Sequence, residues 1–467
     1  MKQSPLISRR RFLGQASCAA VGSASLLSAL LNLRMASTAA AESLPVSYED
    51  DDYKALVCLF FSGGIDSYNM LVPRGEAYNE YAAVRGRLAL PEEVLLPINP
   101  LNDARRPLGV HPGLASMNHL FNQGQAAWLA NVGTMIEPVT REHYQNGTAR
   151  LPLGLFSHSD QIRQWQTSVP QSTGAVGWGG RTADLLASLN DNQKISMNIS
   201  VVGSNVWQSG NKVFEYAITP NGSVARDSYN EPWGANPARS TGIDKHLDQT
   251  YLNLFERTFA KVSRDAIDSH HEFSAAVDAQ PELQTVFPAN NNLAGQLRMV
   301  ARTIAAHRAL GFKRQTFMVQ VDGWDHHDEV MGPMADMVPL VSDAIAAFYQ
   351  SLEELGKQDQ VTLFTGSDFG RTLTTNGQGS DHAWGGNHLV VGGAVRGNRI
   401  YGSYPDLYIG NPLDTGRGRL IPSTSVDAYF AELALWFGVP ASELETVLPN
   451  INNFYTPGAE GPLGMFA

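Results

Sequence analysis

The stretch DHAWGGNH, Asp381 to His388, sets an acid and two imidazoles around a pair of glycines. Its histidines are six residues apart, not the three or four of a shared helix face. The Gly385–Gly386 pair argues against a helix in any case. An aspartate and two histidines on one loop form a donor set for a divalent cation, and three other stretches carry the same residue types. ALVCLFF leads into Gly63, Gly64, Asp66 and Ser67; FMVQVDGWDHHDE delivers Asp322, Asp325, His326, His327 and Asp328; VTLFTGSDFGRT delivers Asp368 and Arg371. Carboxylates and imidazoles gathered in one place suit zinc, manganese or a similar ion, one or two in number. Such an ion also offsets the repulsion among clustered acids. A single Asp after a strand is more often a turn former or a helix cap, and a lone His327 more often a hydrogen-bonded surface residue. The case for metal rests on the combination.

The elements that must position these residues are readable as short apolar runs. ALVCLFF stops abruptly at a Gly-rich turn, as a buried parallel strand does. Further strands are expected at 126–133, 195–203, 315–323, 360–368 and 388–395. Amphipathic helical patterns lie between and after them, in NLAGQLRMVARTIAAHRALG, MVPLVSDAIAAFYQSLEELG and SVDAYFAELALWFGVP, each closed by glycine. Alternating strands and helices predict an α/β fold with a central, mostly parallel sheet between helical layers. In such sheets ligands bind beyond the carboxyl ends of the strands, where the acids and histidines fall. The polar, Gly-, Asn- and Pro-rich stretch 204–245 reads as an insertion or cap, not a separate domain.

The chain has 467 residues, 43% hydrophobic and 17% charged, which is enough for a large core. A net charge of −11 argues against a nucleic-acid partner. Residues 1–41 carry Arg9 and Arg10 after Ser8, then a mild apolar stretch and small residues up to Ala41. That order resembles a twin-arginine export signal, predicting a folded cargo for the twin-arginine translocase and a periplasmic or secreted product. Cleavage there leaves one α/β domain, 42–467, and by removing five positive charges takes the net charge from −11 to −16. Cys18 leaves with the signal, so Cys58 has no internal disulfide partner and reads as a small buried hydrophobe. No later segment is long and apolar enough to span a membrane.

SGGIDSYNMLVP, PLGVHPGL, SHSDQIRQWQT with GWGGR, DGWDHHDE, GSDFGRT and SDHAWGGNHLVVGGAVRGNRIYG occur in order. Together they resemble the twin-arginine-exported family called domain of unknown function 1501, over about residues 54 to 440. That family is similar in fold to the alkaline phosphatase and sulfatase superfamily. The resemblance implies an alkaline-phosphatase-like three-layer sandwich with a metal site at the strand ends. Carried over by position, it makes Asp66 the acid after the first strand, Asp325 and His327 the pair after a later one, and Asp368 half of an Asp-His dipeptide. Phe369 stands where the superfamily has histidine, and His382 and His388 would then supply the missing imidazole.

The nucleophile of such hydrolases sits at a helix N-terminus, which makes Ser157 the candidate. The alternative is that Ser157 merely caps that helix, with Asp160 and Gln161 completing the cap. His158 and Arg371 could hold an anionic oxygen, Arg371 through its planar fork. No formylglycine-type Cys-x-Pro-x-Arg signature is present. His111 reads as a turn residue, Trp178 and Arg181 as site lining or sheet packing, and the aromatics of 207–233 as loop anchors or a sugar platform. Three readings follow: a hydrolase of phosphate or sulfate esters on a small molecule or polysaccharide; a non-catalytic exported binding protein with a structural or recognition metal; and phosphoryl or sulfuryl transfer between sugars.

Overall fold

The computed structural model describes residues 52–102, 106–458 and 460–466. The export signal lies outside these described residues. The strands are β1 (Lys54–Phe61), β2 (Leu71–Pro73), β3 (Leu96–Ile98), β4 (Leu108–Val110), β5 (Ala126–Gly133), β6 (Asn198–Ser200), β7 (Tyr216–Ala217), β8 (Arg314–Val321), β9 (Val361–Ser367), β10 (Arg371–Thr375), β11 (Ser380–His382), β12 (Gly386–Val391), β13 (Ile400–Gly402) and β14 (Thr424–Ser425). Helices that matter below are α1 (Tyr78–Arg85), α2 (His158–Thr167), α3 (Trp178–Leu186), α4 (Asn236–Leu247), α5 (Leu254–Asp278), α6 (Asn292–Ala305), α7 (Met331–Glu354) and α8 (Val426–Phe437).

The main sheet runs β13-β5-β12-β9-β1-β8-β6-β7, with β14 also on β5. β1 pairs parallel with both β8 and β9, from Lys54 opposite Arg314 to Phe61 opposite Ser367 and Val321. β12 alone runs the other way, antiparallel to β5 and β9. The carboxyl ends of β1, β8 and β9 therefore share one edge of the sheet with the amino end of β12. β1 is buried along almost its whole length, which is why its sequence is a continuous apolar run and not an alternating one. Cys58 sits within it, buried and reduced.

Helices flank this sheet. α6 and α7 pack on one another, with α6 also against β8. On a second layer, Trp178 of α3 stacks on Phe430 of α8 at 4.6 Å, and both lie against Phe364 of β9. Trp207 joins them, buried against Trp178 at 5.5 Å, so this loop aromatic anchors its segment to the core. The predicted excursion 204–245 also contributes edge strand β7 and helix α4. The strand expected at 195–203 shrinks to three residues, because the chain turns away at Val201. The strand expected at 388–395 lies at Gly386–Val391, ending four residues early, and the other predicted strands match to within two residues.

Candidate metal centre

The site grows from the turn after β1. Gly64 has φ +82°, and a Cβ there would lie 2.4 Å from the Phe369 ring, so only glycine fits. The turn turns its carbonyls toward Arg371, which is fully buried. Arg371 donates from Nε to Gly64 O (2.7 Å), from Nη1 to Ser380 O (3.1 Å), and from Nη2 to Trp324 O (3.2 Å) and Gly63 O. Nη2 also meets Asp325 Oδ1 at 2.5 Å. The guanidinium expected to hold a substrate anion is thus committed to four carbonyls and one carboxylate. It ties the turns after β1 and β8 to the β10–β11 hairpin and orients Asp325.

Three imidazoles converge on Asp325, each held through Nδ1. His158, the first residue of α2, places Nδ1 2.7 Å from Asp368 Oδ2. Asp368 is itself fixed by the backbone N–H of Gly63, which donates to its Oδ1 at 3.1 Å. His327 places Nδ1 3.3 Å from Asp381 Oδ1. His382 donates from Nδ1 to the carbonyl of Phe156 at 2.7 Å. A carbonyl only accepts, so the proton on His382 is assigned to Nδ1 and its Nε2 carries a lone pair. Carboxylates impose the same tautomer on the other two rings.

The three Nε2 atoms face one another and Asp325. His327 Nε2 lies 2.8 Å from His382 Nε2 and 3.1 Å from Asp325 Oδ1. His382 Nε2 is 3.7 Å from the same oxygen, and His158 Nε2 is 3.5 Å from Asp325 Oδ2. The buried His158 Nε2 has no hydrogen-bond partner among the described residues. One donor atom from each of His158, Asp325, His327 and His382 lies within 4.8 Å of all the others. Lone pairs aimed together at this range repel unless a cation lies among them. Imidazoles anchored at Nδ1 by carboxylate or carbonyl are the arrangement that metal-ligating histidines adopt. The donor set therefore fits a divalent ion.

Electrostatics agree. Burial pushes Asp325 up, but the Arg371 guanidinium and the neighbouring imidazoles more than offset it and hold the carboxyl below its usual range. Asp381 is lowered in the same way, burial being outweighed by Asn376, Arg417 and His327. Burial raises Asp368, opposed only in part by His158 and the Gly63 N–H. Burial lowers His382, in the direction that favours the neutral ring a metal ligand needs. The Phe156 backbone sits at φ +74°, a left-handed conformation that bulky residues rarely adopt. Its carbonyl serves His382, while its N–H donates to Gln161 Oε1 at 2.8 Å. This local strain coincides with the site.

Of the residues expected to ligate, the structure joins Asp325, His327 and His382, with Asp368 one step behind through His158. His158, read as an anion holder, is instead the fourth converging donor. Phe369 packs its ring against His158 (4.8 Å between centroids) and His382 (4.5 Å) as an apolar wall. Two residues expected as ligands lie elsewhere. The amino end of β12 shares the site's edge, but the strand begins at Gly386, so His388 lies two residues inside the sheet. Its buried ring lies 4.6 Å from Trp165, and burial lowers it to about 3. Asp66 is fully buried in an ion pair with Arg85 of α1, a partner the sequence did not suggest. Its Oδ1 has no hydrogen-bond partner among the described residues. A Cβ on Gly385 would stand 1.9 Å from Asn131 Oδ1, so its role is close packing.

Ser157 is the N-cap residue of α2, but its side chain makes no cap hydrogen bond. Its Oγ is 3.3 Å from Ser159 Oγ. His111 accepts from the Gly113 N–H at a turn, and Arg181 is spent on the carbonyls of Val176, Val447 and Thr167.

Fold and site define an α/β protein with a candidate metal centre at the carboxyl edge of its sheet. The chain belongs to the family described as a protein of unknown function (DUF1501), whose model matches residues 53–412. No curated protein matches it. Among solved structures it is similar to Ps i-CgsB in complex with k-i-k-neocarrahexaose, 10% identical with a TM-score of 0.32 over 88% of this chain and 76% of that one. It is also similar to the PsFucS1 sulfatase from Pseudoalteromonas sp., 10% identical with a TM-score of 0.30 over 83% and 68%. A third is the lipoteichoic acid synthase LtaP from Listeria monocytogenes, 8% identical with a TM-score of 0.31 over 84% and 81%.

Proposed function

We propose that the chain is an exported, metal-dependent hydrolase of phosphate or sulfate esters, carried on a small molecule or a polysaccharide. The observation that carries this reading is the convergence of three Nδ1-anchored imidazoles on the Asp325 carboxylate. His158, Asp325, His327 and His382 would hold one ion, and this nitrogen-rich set suits zinc better than manganese. Arg85 already neutralises Asp66, which leaves a second ion without that ligand. A bound divalent ion supplies Lewis-acid polarisation of an ester oxygen. Asp368, Asp381 and the Phe156 carbonyl hold the imidazoles in the ligating tautomer. Ser157, next to His158 and free of any capping bond, or a water, is the attacking group in this reading. The twin-arginine-like leader places the product in the periplasm or outside the cell, and the mature chain 42–467 is one domain with 204–245 as its insertion.

A second reading, a non-catalytic exported binding protein, is favoured by one observation. Four protein donors fill a tetrahedral zinc shell, as structural sites do, whereas catalytic zinc keeps a position open. Metal analysis of protein purified from the periplasm, followed by turnover of aryl phosphate and aryl sulfate esters, separates the two. One equivalent of zinc with ester cleavage supports the hydrolase. Zinc without cleavage supports the binding protein. A preparation with no transition metal, that takes none up, removes both.

A further inference from the structure

With Arg371 committed to the backbone, the oxyanion of an ester needs another cation, and the loop 414–420 offers one. The buried carboxylate of Asp414 organises this loop, its Oδ1 accepting the N–H groups of Gly416 (2.7 Å) and Gly418 (2.9 Å). Asp414 and Leu420 close it as a bridge, and Gly416, Arg417 and Gly418 all have positive φ. The loop thus presents two arginines from a fixed backbone, and each meets a residue next to the metal donors or the backbone of one of them. Arg417 Nη1 pairs with Asp381 Oδ2 at 2.6 Å, and the other oxygen of Asp381 faces His327 Nδ1. Arg419 donates from Nε to the backbone carbonyl of His382 at 2.9 Å. Its guanidinium carbon lies 5.1 Å from the centroid of the Phe156 ring, whose own carbonyl holds His382.

Arg419 is therefore anchored at Nε and braced on one face, while its two terminal nitrogens have no partner among the described residues. A guanidinium fixed at its stem with a free two-pronged end is the geometry that takes up a tetrahedral oxyanion. We infer that Arg419 is the substrate-binding residue for the phosphate or sulfate group. Arg417 is a positioning residue, acting through Asp381 on His327. The inference rests on the metal-hydrolase reading, and it names the group of the substrate that the site grips.

The test is titration of inorganic phosphate and, separately, inorganic sulfate into the full-length mature protein loaded with zinc, followed by calorimetry, with bound metal measured on the same samples. The expected result is saturable uptake of one oxyanion, weakened at least about tenfold in Arg419→Ala at unchanged zinc content, since losing a charge-assisted pair typically costs that much. Arg419→Lys keeps the charge but not the fork, and should also bind more weakly than wild type. The phosphate and sulfate arms show which ester the site prefers. Zinc-loaded wild type that binds neither ion, or Arg419→Ala binding as tightly as wild type, overturns the inference and leaves the metal site standing. Should Arg419→Ala lose zinc, the comparison passes to Arg419→Lys, and wild-type affinity there overturns it. Failure of wild type to take up zinc overturns the underlying reading instead.

Discussion

His327 and His382 face each other through Nε2 at 2.8 Å, although each ring has its Nδ1 directed to an acceptor. Two lone pairs at that separation store a repulsion that a shared cation removes. Replacing either residue by alanine takes away one of four donors. His327→Ala and His382→Ala should each lower zinc affinity by more than about a hundredfold, since loss of an outer-shell partner alone costs about 10–100-fold. In wild type, zinc at a hundred times its Kd should add about 2.7 kcal/mol of stability. Calorimetric melting with and without chelator measures it, and an unchanged Tm would sink the site.

The bond between His158 Nδ1 and Asp368 Oδ2, at 2.7 Å, makes a second prediction. Asp368→Asn keeps the shape but presents either a neutral acceptor or a donor to the ring. Zinc affinity should fall about 10–100-fold while the fold persists. A competition assay with a chelating dye reads the affinity, and circular dichroism reads the fold.

His388 supplies a contrast. It is buried against Trp165 and lowered from 6.5 to about 3 by burial. Between those values the unfolded chain binds the proton and the folded one does not, so stability falls as pH drops through this window. From pH 6.5 to 5 the loss from this one group is at most about 2 kcal/mol. His388→Gln should retain zinc and lose less stability than wild type over that interval. Urea denaturation at the two pH values, with zinc measured alongside, checks both halves. Loss of zinc in this variant would return His388 to the ligand set.

These contrasts show what the sequence carried. The strands were legible because a strand buried on both faces is a continuous apolar run, and β1, β5, β8 and β9 are of that kind. Strand ends placed Asp325, His327 and Asp368 at one edge of the sheet, and the family resemblance singled them and His382 out from the acids and histidines beside them. His388 misled because nothing local to GGNHLVV shows that the strand starts at Gly386, which puts His388 inside the sheet with its ring buried against Trp165. Asp66 misled because its partner Arg85 is 19 residues on, in a different element. His158 was visible as a residue, but its role depends on Asp368, 210 positions away. Phe156 left no trace, since a backbone conformation at a bulky residue is imposed by its surroundings.

The Asp66–Arg85 pair makes the last prediction. Both side chains are fully buried, and Arg85 also donates from Nη1 to Thr372 O at 2.9 Å and Leu373 O at 3.3 Å. Arg85→Ala strands a carboxylate in the interior, which typically costs about 3–5 kcal/mol. Asp66→Asn removes the negative charge and leaves Arg85 its two carbonyls, so it should cost less. The double variant Asp66→Asn/Arg85→Ala should be more stable than the sum of the single losses predicts, because neither charge is left alone. Urea denaturation of the four proteins closes the cycle. Zinc stoichiometry should not change in Asp66→Asn, since Asp66 already has a cation in Arg85. A variant that folds but binds no zinc would make Asp66 a ligand after all.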